Sequence, residues 1–309
     1  MNNFALVTDS GCALTKNLRE RFGIEAAVLG SVEYPDGHSE KADLDWERTT
    51  PEEYFNSMSS KKFIYKTACP NIEEIANAFR SFAKEGRDVL MICISHALSG
   101  TYNFALNAMK IVKEEFPDVK IRVVDSLRYS TAEGQILVWA SALREQGKSM
   151  DEVADWIEAN KGHFHQVGIM DDMYFLARTG RVSKAKAFFG TMVGVEPIAD
   201  FNAQGLSEVI GKGKGKKKTL LADVQYLKEL IVNPEEQILF VVHSNRLKEA
   251  EFYRDEIIKA VHPKEIILTS VDQFCGANIG PGLVSAFFYG KPISDDLSEE
   301  KALITKLLG

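Results

Sequence analysis

The sequence predicts an α/β fold built from two α/β domains, and three observations support this. Apolar segments suited to buried strands alternate with segments of helical periodicity through the first half of the chain. Three of those apolar segments end in a small polar residue: FALVTDSG (4–11), DVLMICIS (88–95) and IRVVDS (121–126). The strand spacing then changes beyond residue 150. Near-continuous apolar strands that alternate with helices are typical of a mostly parallel sheet with helices on both faces.

The first half also contains three segments whose apolar residues recur with a period near 3.6. They predict helices over 72–86, 102–116 and 131–147. Residues 24–60 break the alternation and contain a Pro-Asp-Gly turn, so we expect a strand or hairpin and a short helix beside the sheet. Ligands of parallel sheets bind beyond the carboxyl ends of the strands. The three polar strand ends therefore predict one binding edge.

The second half is predicted to form a further α/β unit, with domains over residues 1–157 and 158–309. The pattern indicates helices over 150–161, 223–232 and 246–261, and strands over 238–244 and 265–274. The segment CGANIGPGLVSAFF (275–288) predicts a tight turn followed by an apolar helix. A structural turn is the favoured interpretation of its glycines, with a ligand-binding loop as the alternative.

Composition excludes several classes of protein. A formal charge of -7 over 309 residues argues against general affinity for nucleic acid. The four cysteines are scattered, no apolar run approaches the ~18 residues of a membrane span, and no signal peptide is recognisable. We expect a cytoplasmic protein with reduced thiols. No metal site is expected, because His163 and His165 lack a clustered third ligand.

The segment ISHALSGTYN (94–103) allows two interpretations of Ser99. It is a nucleophile with His96 as its base, or it caps a helix whose free N–H groups and positive dipole end form an anion site. The first glycine of a G-x-S-x-G elbow is missing, so the cap is favoured. In KTACPN (66–71), either Thr67 or Asn71 is expected to cap the next helix.

Taken in order, these pieces resemble the DegV family of bacterial fatty-acid-binding proteins. The resemblance covers about residues 4–290, and LSGTY and GRVSK are its most specific parts. The matching segments are TDSGCAL, KTACPN, ISHALSGTYN, VVDS, LARTGRVSKA, VEPI with the lysine-rich turn after it, and GANIGPG.

The resemblance implies a mixed sheet in the second domain and a long-chain fatty acid, of the palmitate or stearate class, between the domains. The protein would be a ligand carrier without a cofactor, not an enzyme. It would present the acid to a separate fatty acid kinase for phospholipid synthesis, with transient contact with a membrane surface. The carboxylate site would comprise Thr67, Ser99, Gly100, Asn278 and Ile279. The resemblance also matches Arg181 and Lys214 to positions for partner or phosphate docking.

Two positions and one short segment depart from the family pattern. Asn278 stands where a histidine is usual, Lys214 replaces an arginine, and residues 68–71 differ from Ser-Gln-Pro-Ser. Since the loops of Thr67 and Ser99 contain no Lys or Arg beyond Lys66, we expect mostly neutral donors at the carboxylate and most of the affinity from the tail. Residues expected to line the acyl tunnel are Leu98, Phe188, Phe189, Met192 and Val193. The alternatives are a serine hydrolase that acts on acyl esters through Ser99 and His96, and a sensor of another amphiphile.

Overall fold

A computed structural model describes residues 4–183 and 194–309 of the chain. The strands of the first half are β1 (Ala5–Asp9), β2 (Ala26–Val28), β3 (Ser31–Glu33), β4 (Ser39–Lys41), β5 (Lys66–Ala68), β6 (Val89–Cys93) and β7 (Ile121–Asp125). Its helices are α1 (Lys16–Arg21), α2 (Pro51–Met58), α3 (Ile72–Ala83), α4 (Thr101–Glu115), α5 (Thr131–Glu145) and α6 (Met150–Asn160).

The second half contributes β8 (Phe164–Met170), β9 (Glu196–Phe201), β10 (Ser207–Gly213), β11 (Ile238–His243), β12 (Glu265–Ser270) and β13 (Leu283–Tyr289). Its described helices are α7 (Tyr174–Thr179), α8 (Lys216–Leu230), α9 (Leu247–Val261), α10 (Gln273–Ile279) and α11 (Ser298–Leu308). Within the described ranges, none of the helices combines the length and the apolar content needed to traverse a bilayer.

The first large sheet is parallel throughout, in the order β2-β1-β6-β7. Successive side chains along each strand point to opposite faces of the sheet. Val7 and Met91 therefore pack towards α3 and α4, whereas Leu6 and Ile92 belong to the apolar cluster of α5 and α6. Helices therefore cover both faces of the sheet, as the sequence predicted.

The second large sheet is mixed, in the order β10-β9-β8-β13-β11-β12. Among its described pairs, β11 with β12 is parallel and the others are antiparallel. The apolar side chains of α8, α9 and α11 cover one face. On the other face, Phe240 and Phe287 belong to the same apolar cluster as Leu6 and Ile92 of the first sheet. Because this core is shared, the domain boundary at 157/158 stays a prediction.

Helix α5 lies between the two large sheets and is buried over most of its length. The buried stretch runs without a break from Thr131 to Val138 and includes the polar Glu133 and Gln135. Gln135 donates hydrogen bonds through Nε2 to the carbonyls of Ile238 and Phe287, at 3.2 and 3.3 Å. The helix thus attaches the first half of the chain to the second sheet through apolar packing and polar contacts together.

A small antiparallel sheet, β4-β3-β5, accounts for the irregular segment after residue 24. The Pro-Asp-Gly turn joins β3 to β4, and α2 follows with Pro51 in its first turn and a capping box formed by Thr50 and Glu53. The predicted hairpin and short helix are confirmed. The third strand, β5, pairs with β3 and places Thr67 opposite Val32.

The prediction for residues 265–288 was wrong in two respects. Residues 273–279 form α10, where the end of a strand and a tight turn were predicted, and LVSAFFY (283–289) is a strand instead of a helix. The second error has a physical reason: β13 is central in its sheet, and five of its seven residues are buried. A strand covered on both faces reads as a continuous apolar run, which periodicity cannot distinguish from a buried helix.

Candidate functional site

Two buried or nearly buried carboxylates hold the loops at the carboxyl edge of the parallel sheet. Asp9 accepts hydrogen bonds from the backbone N–H groups of Gly11, at 2.6 Å, and Ile94, at 3.0 Å. Burial raises the pKa of Asp9 to about 6, against the lowering effect of these two bonds. Asp125 accepts from the N–H groups of His96 and Leu127. The polar strand ends therefore meet at one edge, as predicted, and there they fix the loop backbones.

A cavity of about 450 Å³ opens beside this edge, between the Ser99 turn, β5, α10 and the segment that follows α7. Its volume is within the range of small-molecule sites, roughly 300–1,000 Å³. Most of the residues singled out from the sequence line it: Thr67, Leu98, Ser99, Gly100, Arg181, Asn278 and Ile279. The wall is completed by Ala68, Cys69, Ile94, His96, Ala97, Tyr129, Leu176, Phe274 and Cys275.

Thr67 and Asn278 meet at the wall of the cavity. Thr67 projects from β5, and the side-chain N–H of Asn278, in the last turn of α10, donates to its hydroxyl oxygen at 3.1 Å. Asp272 caps the N-terminus of α10, and its carboxylate accepts from the N–H groups of Phe274 and Cys275. Ile279 is buried beside Asn278. The segment predicted as a turn is thus a capped helix that presents an amide to the cavity.

Ser99 lies in a tight turn that leads from β6 into α4. Its N–H donates to the carbonyl of Ser95, and its hydroxyl oxygen accepts from the N–H of Thr101 at 3.3 Å. A second hydrogen bond, of 2.9 Å, joins the hydroxyls of Ser99 and Thr101. Ser99 therefore satisfies the N–H of the first residue of α4 from the turn before the helix. The prediction that Ser99 is the N-cap was wrong by one residue, because the N-cap position is taken by Gly100, which has no side chain to accept a hydrogen bond.

The polar groups of this turn lie beside the thiol of Cys69, and all three residues line the cavity. Burial raises the pKa of the Cys69 thiol, and that rise is opposed by its own backbone and, from the turn, by the Ser99 hydroxyl and the Gly100 N–H as donors. Both donors belong to the N-terminus of a 15-residue helix, where the dipole favours negative charge. The same pair of donors is suited to an oxygen of a carboxylate.

The side chains of His96 and Ser99 are hydrogen-bonded to other residues and not to each other. The Nδ1 atom of His96 is 2.5 Å from Oδ2 of Asp125, and its side chain is 52% exposed. The hydroxyl of Ser99 bonds to Thr101 instead. The hydrogen bonds of the described residues do not join His96 to Ser99, so the serine–base pair of a hydrolase is not assembled here. This geometry favours binding over nucleophilic attack.

The structure separates the two basic residues that had been matched to partner docking. Arg181 follows α7, which ends at Gly180 with a positive φ of 72°, and its guanidinium donates to the carbonyl of Thr179 at 2.6 Å. Arg181 lines the cavity, so one charged donor joins the mostly neutral donors that were expected. Lys214 is exposed in the turn between β10 and α8 and does not belong to the cavity wall. Phe188, Phe189, Met192 and Val193 lie outside the described residues.

Sequence reasoning missed several apolar residues of the wall, including Tyr129, Leu176 and Phe274. Phe274 lies in a segment interpreted only as a strand, Tyr129 was left without assignment, and Leu176 opens the motif LARTGRVSKA without having been assigned a role. Their apolar character was visible, but nothing local indicates which apolar residues face a cavity instead of a solid core.

Comparison with known proteins now adds the relationship that the motifs indicated. A sequence model of the DegV family, whose description calls it uncharacterised, matches residues 3–291. The chain belongs to the DegV family. A DegV domain-containing protein of Clostridium perfringens is 31% identical over 290 residues, which cover 94% of this chain and 98% of that protein.

Two solved structures of DegV family proteins are similar throughout. That of a fatty-acid-binding DegV family protein from Thermus thermophilus is 26% identical, with a TM-score of 0.81 over 93% of this chain and 99% of the other. That of a DegV family protein from Eubacterium eligens, loaded with heptadecanoic acid, is also 26% identical, with a TM-score of 0.79 over 93% and 100%.

Proposed function

We propose that this DegV family protein is a carrier that binds a long-chain fatty acid of the palmitate or stearate class. The observation that carries the proposal is the cavity itself, whose lining combines hydroxyl and amide donors from both halves of the chain with apolar side chains. The relatives from T. thermophilus and E. eligens, which bind fatty acids, support it. The carboxylate is assigned to Thr67, Ser99, Gly100, Asn278 and Ile279, and Arg181 adds a positive charge nearby.

Physical magnitudes favour such a ligand. Each methylene removed from water contributes about 0.8 kcal/mol, so fifteen contribute roughly 12 kcal/mol before ordering costs. Hydrogen bonds to a charged group contribute about 1.5–3 kcal/mol each. The tail therefore dominates affinity, while the hydroxyls and Asn278 determine which end of the ligand lies at the mouth. Leu98 contributes to the tail site, and we keep Phe188, Phe189, Met192 and Val193 as further proposed lining residues.

Native mass spectrometry of the protein purified from cells tests the proposal. We expect a co-purifying mass of a saturated or unsaturated C16–C18 acid. Titration with stearate then compares the wild type with Ser99→Ala and Thr67→Val, each expected to bind about tenfold more weakly. Ser81→Ala and Thr305→Val change exposed hydroxyls on α3 and α11 and serve as matched controls. Unchanged stearate affinity in both site variants would contradict the assignment.

The same cavity distinguishes a carrier from a hydrolase and from a sensor. A hydrolase would release the chromophore from a p-nitrophenyl acyl ester, with turnover that depends on Ser99 and His96. We expect no such turnover, because these two side chains have other partners. A sensor of another amphiphile would co-purify with a different mass.

We further infer that the carrier presents its acid to a separate fatty acid kinase. The support is the position of Arg181 on the wall of the cavity that is assigned to the carboxylate. Incubation of the loaded protein with ATP and a purified bacterial fatty acid kinase should yield acyl phosphate, and Arg181→Ala should abolish it while the acid stays bound. Acyl phosphate formation at the wild-type rate in Arg181→Ala would remove Arg181 from this role.

A further inference from the structure

We propose that Tyr129 closes the inner end of the acyl site and thereby sets the longest tail that the protein accommodates. This inference rests on the proposed function and concerns its specificity. A second, much smaller cavity of about 20 Å³ lies deeper in the molecule, at the face of the mixed sheet that is turned towards the first half. Tyr129 and Leu176 line both cavities.

Hydrogen bonds hold the Tyr129 ring in this position. Its hydroxyl is 2.7 Å from the hydroxyl oxygen of Ser207 on β10, which also accepts from Nε2 of Gln166 on β8 at 2.5 Å. The ring packs edge-on against Phe201, with 5.4 Å between centroids, and the residue is only 8% exposed. The ring is thus part of a bonded wall between the cavities.

The backbone beneath Tyr129 is held in an unfavourable conformation. In the loop from β7 to α5, Leu127 has a φ of 51° and Ser130 has φ 55° and ψ −147°, a region that is essentially confined to glycine. The neighbouring Arg128 is buried, and its Nε donates to the carbonyl of Phe164 at 2.6 Å. Such backbone strain persists only where the surrounding structure imposes it. Here the surrounding contacts hold the Tyr129 ring in the wall between the two cavities.

The deeper cavity is suited to the end of an alkyl chain. Its volume is large enough for only about one water molecule. However, Met170 and Met173 line it, and methionine side chains are flexible, so they fill irregular gaps and can move to admit an alkyl chain. Leu283, Pro197 and Ala199 add apolar surface, and the polar side chains of the wall, Gln166, Ser207 and Ser285, are already hydrogen-bonded within the protein. A tail that passed the ring would therefore find apolar contacts, whereas a tail stopped by the ring leaves its last methylenes unburied.

Affinity should consequently depend on chain length in two regimes. Each buried methylene raises affinity about fourfold. In the wild type this rise continues until the tail reaches Tyr129 and then levels off. In Tyr129→Ala the rise continues, so that two further methylenes increase the affinity at least about tenfold.

The test measures dissociation constants for saturated acids from C12 to C20 with the wild type, Tyr129→Ala and Tyr129→Phe. We expect Tyr129→Ala to move the levelling point to longer acids, and Tyr129→Phe, which keeps the ring but loses the bond to Ser207, to move it less. Tyr253→Phe is the matched control, because its buried hydroxyl donates to Val167 in the core on the opposite face of the sheet. Its levelling point should equal that of the wild type.

Two contrary results can be told apart. Folded Tyr129→Ala and Tyr129→Phe proteins that bind C12 with wild-type affinity and level off at the wild-type length would overturn the role of Tyr129 alone. A wild-type protein that binds none of the acids would overturn the proposed function, and this inference with it.

Discussion

The side-chain amide of Asn278 donates a 3.1 Å hydrogen bond to the hydroxyl oxygen of Thr67, although 211 residues separate them in sequence. The bond joins the last turn of α10 to the small antiparallel sheet, and both residues line the cavity. With its amide N–H as donor, Asn278 leaves the Thr67 hydroxyl hydrogen free for an acceptor in the cavity. The contact therefore orients a donor towards the proposed carboxylate.

Asn278→Asp should weaken stearate binding at least tenfold at pH 7.5. The substitution has nearly the same shape, but it places a negative charge beside the proposed carboxylate site and accepts the Thr67 hydroxyl hydrogen. Two like charges a few ångströms apart repel by more than 1 kcal/mol even in a solvated site. Titration calorimetry measures the effect.

Asn107→Asp is the control for that substitution, because Asn107 is exposed on the middle of α4. It should bind stearate as the wild type does. If Asn278→Asp and Asn107→Asp bind equally well, the carboxylate does not lie at Asn278.

Arg181→Ala should reduce the preference of the protein for an acid over the matching alcohol. Arg181 lines the cavity, so its charge favours stearate but not octadecanol, which has the same tail and no charge. We expect stearate affinity to fall severalfold while octadecanol affinity is unchanged, measured by competition against a fluorescent fatty acid. Arg181→Lys should retain part of the preference for the acid, because lysine keeps the positive charge but lacks the planar guanidinium that can donate two parallel hydrogen bonds to a carboxylate. An equal loss for both ligands would show that Arg181 acts only through packing.

Asp272→Asn should flatten the pH dependence of stability between about pH 4 and 7. Burial raises the pKa of Asp272 to about 6, against the lowering effect of the backbone N–H groups of Cys275 and Phe274. Because this folded-state pKa lies above the unfolded one, the stabilising contribution of the protonated carboxyl is complete below about pH 4 and is lost as the pH rises through 6. The loss is about 3 kcal/mol.

Urea unfolding at several pH values measures this slope. Asparagine retains the helix cap but cannot ionise, so the free energy of unfolding of the variant should fall less over the interval. Asp118→Asn removes an exposed carboxylate from the turn before β7 and should keep the wild-type slope. If the free energy of unfolding of Asp272→Asn changes with pH as steeply as that of the wild type, Asp272 does not change its protonation state in this range.

Asp200→Ala should destabilise the fold by about 3–5 kcal/mol. The buried carboxylate of Asp200 accepts from the Tyr226 hydroxyl at 2.8 Å and bonds to Nδ1 of His165 at 2.6 Å. It also accepts from the N–H groups of Gln166 and Phe201. Removing it leaves these buried donors without an acceptor, which costs far more than the loss of one hydrogen bond. Tyr226→Phe removes only one donor, and we expect about 1 kcal/mol in the same denaturant measurement.

Much of the fold and part of the site were accessible from the sequence because they depend on local patterns. The apolar strands that end at Asp9, Ser95 and Asp125 predicted a parallel sheet with one polar edge, and their parallel pairing follows from the helices that connect them. The turn around Ser99 was recognisable because capping is determined within a few residues. The ordered motifs then indicated the family.

Other features depended on contacts that local sequence does not specify. The run LVSAFFY became a central strand because β8 and β11 pair with it on both sides, and no residue within the run encodes those neighbours. Arg181 was matched to a docking position from the family resemblance, but its place on the cavity wall beside Ser99 became visible only in the structure, where it follows Gly180 at the left-handed end of α7.

The sequence by itself determined the α/β class, the polar edge of the first sheet and the residues that stand at it, because periodicity and capping act over a few residues. Only the tertiary structure decided that Asn278 meets Thr67, that α5 is enclosed by two sheets and that Tyr129 lines two cavities. These depend on how distant segments pack, and the free energy of packing depends on the surfaces that are brought together and not on the residues of one segment.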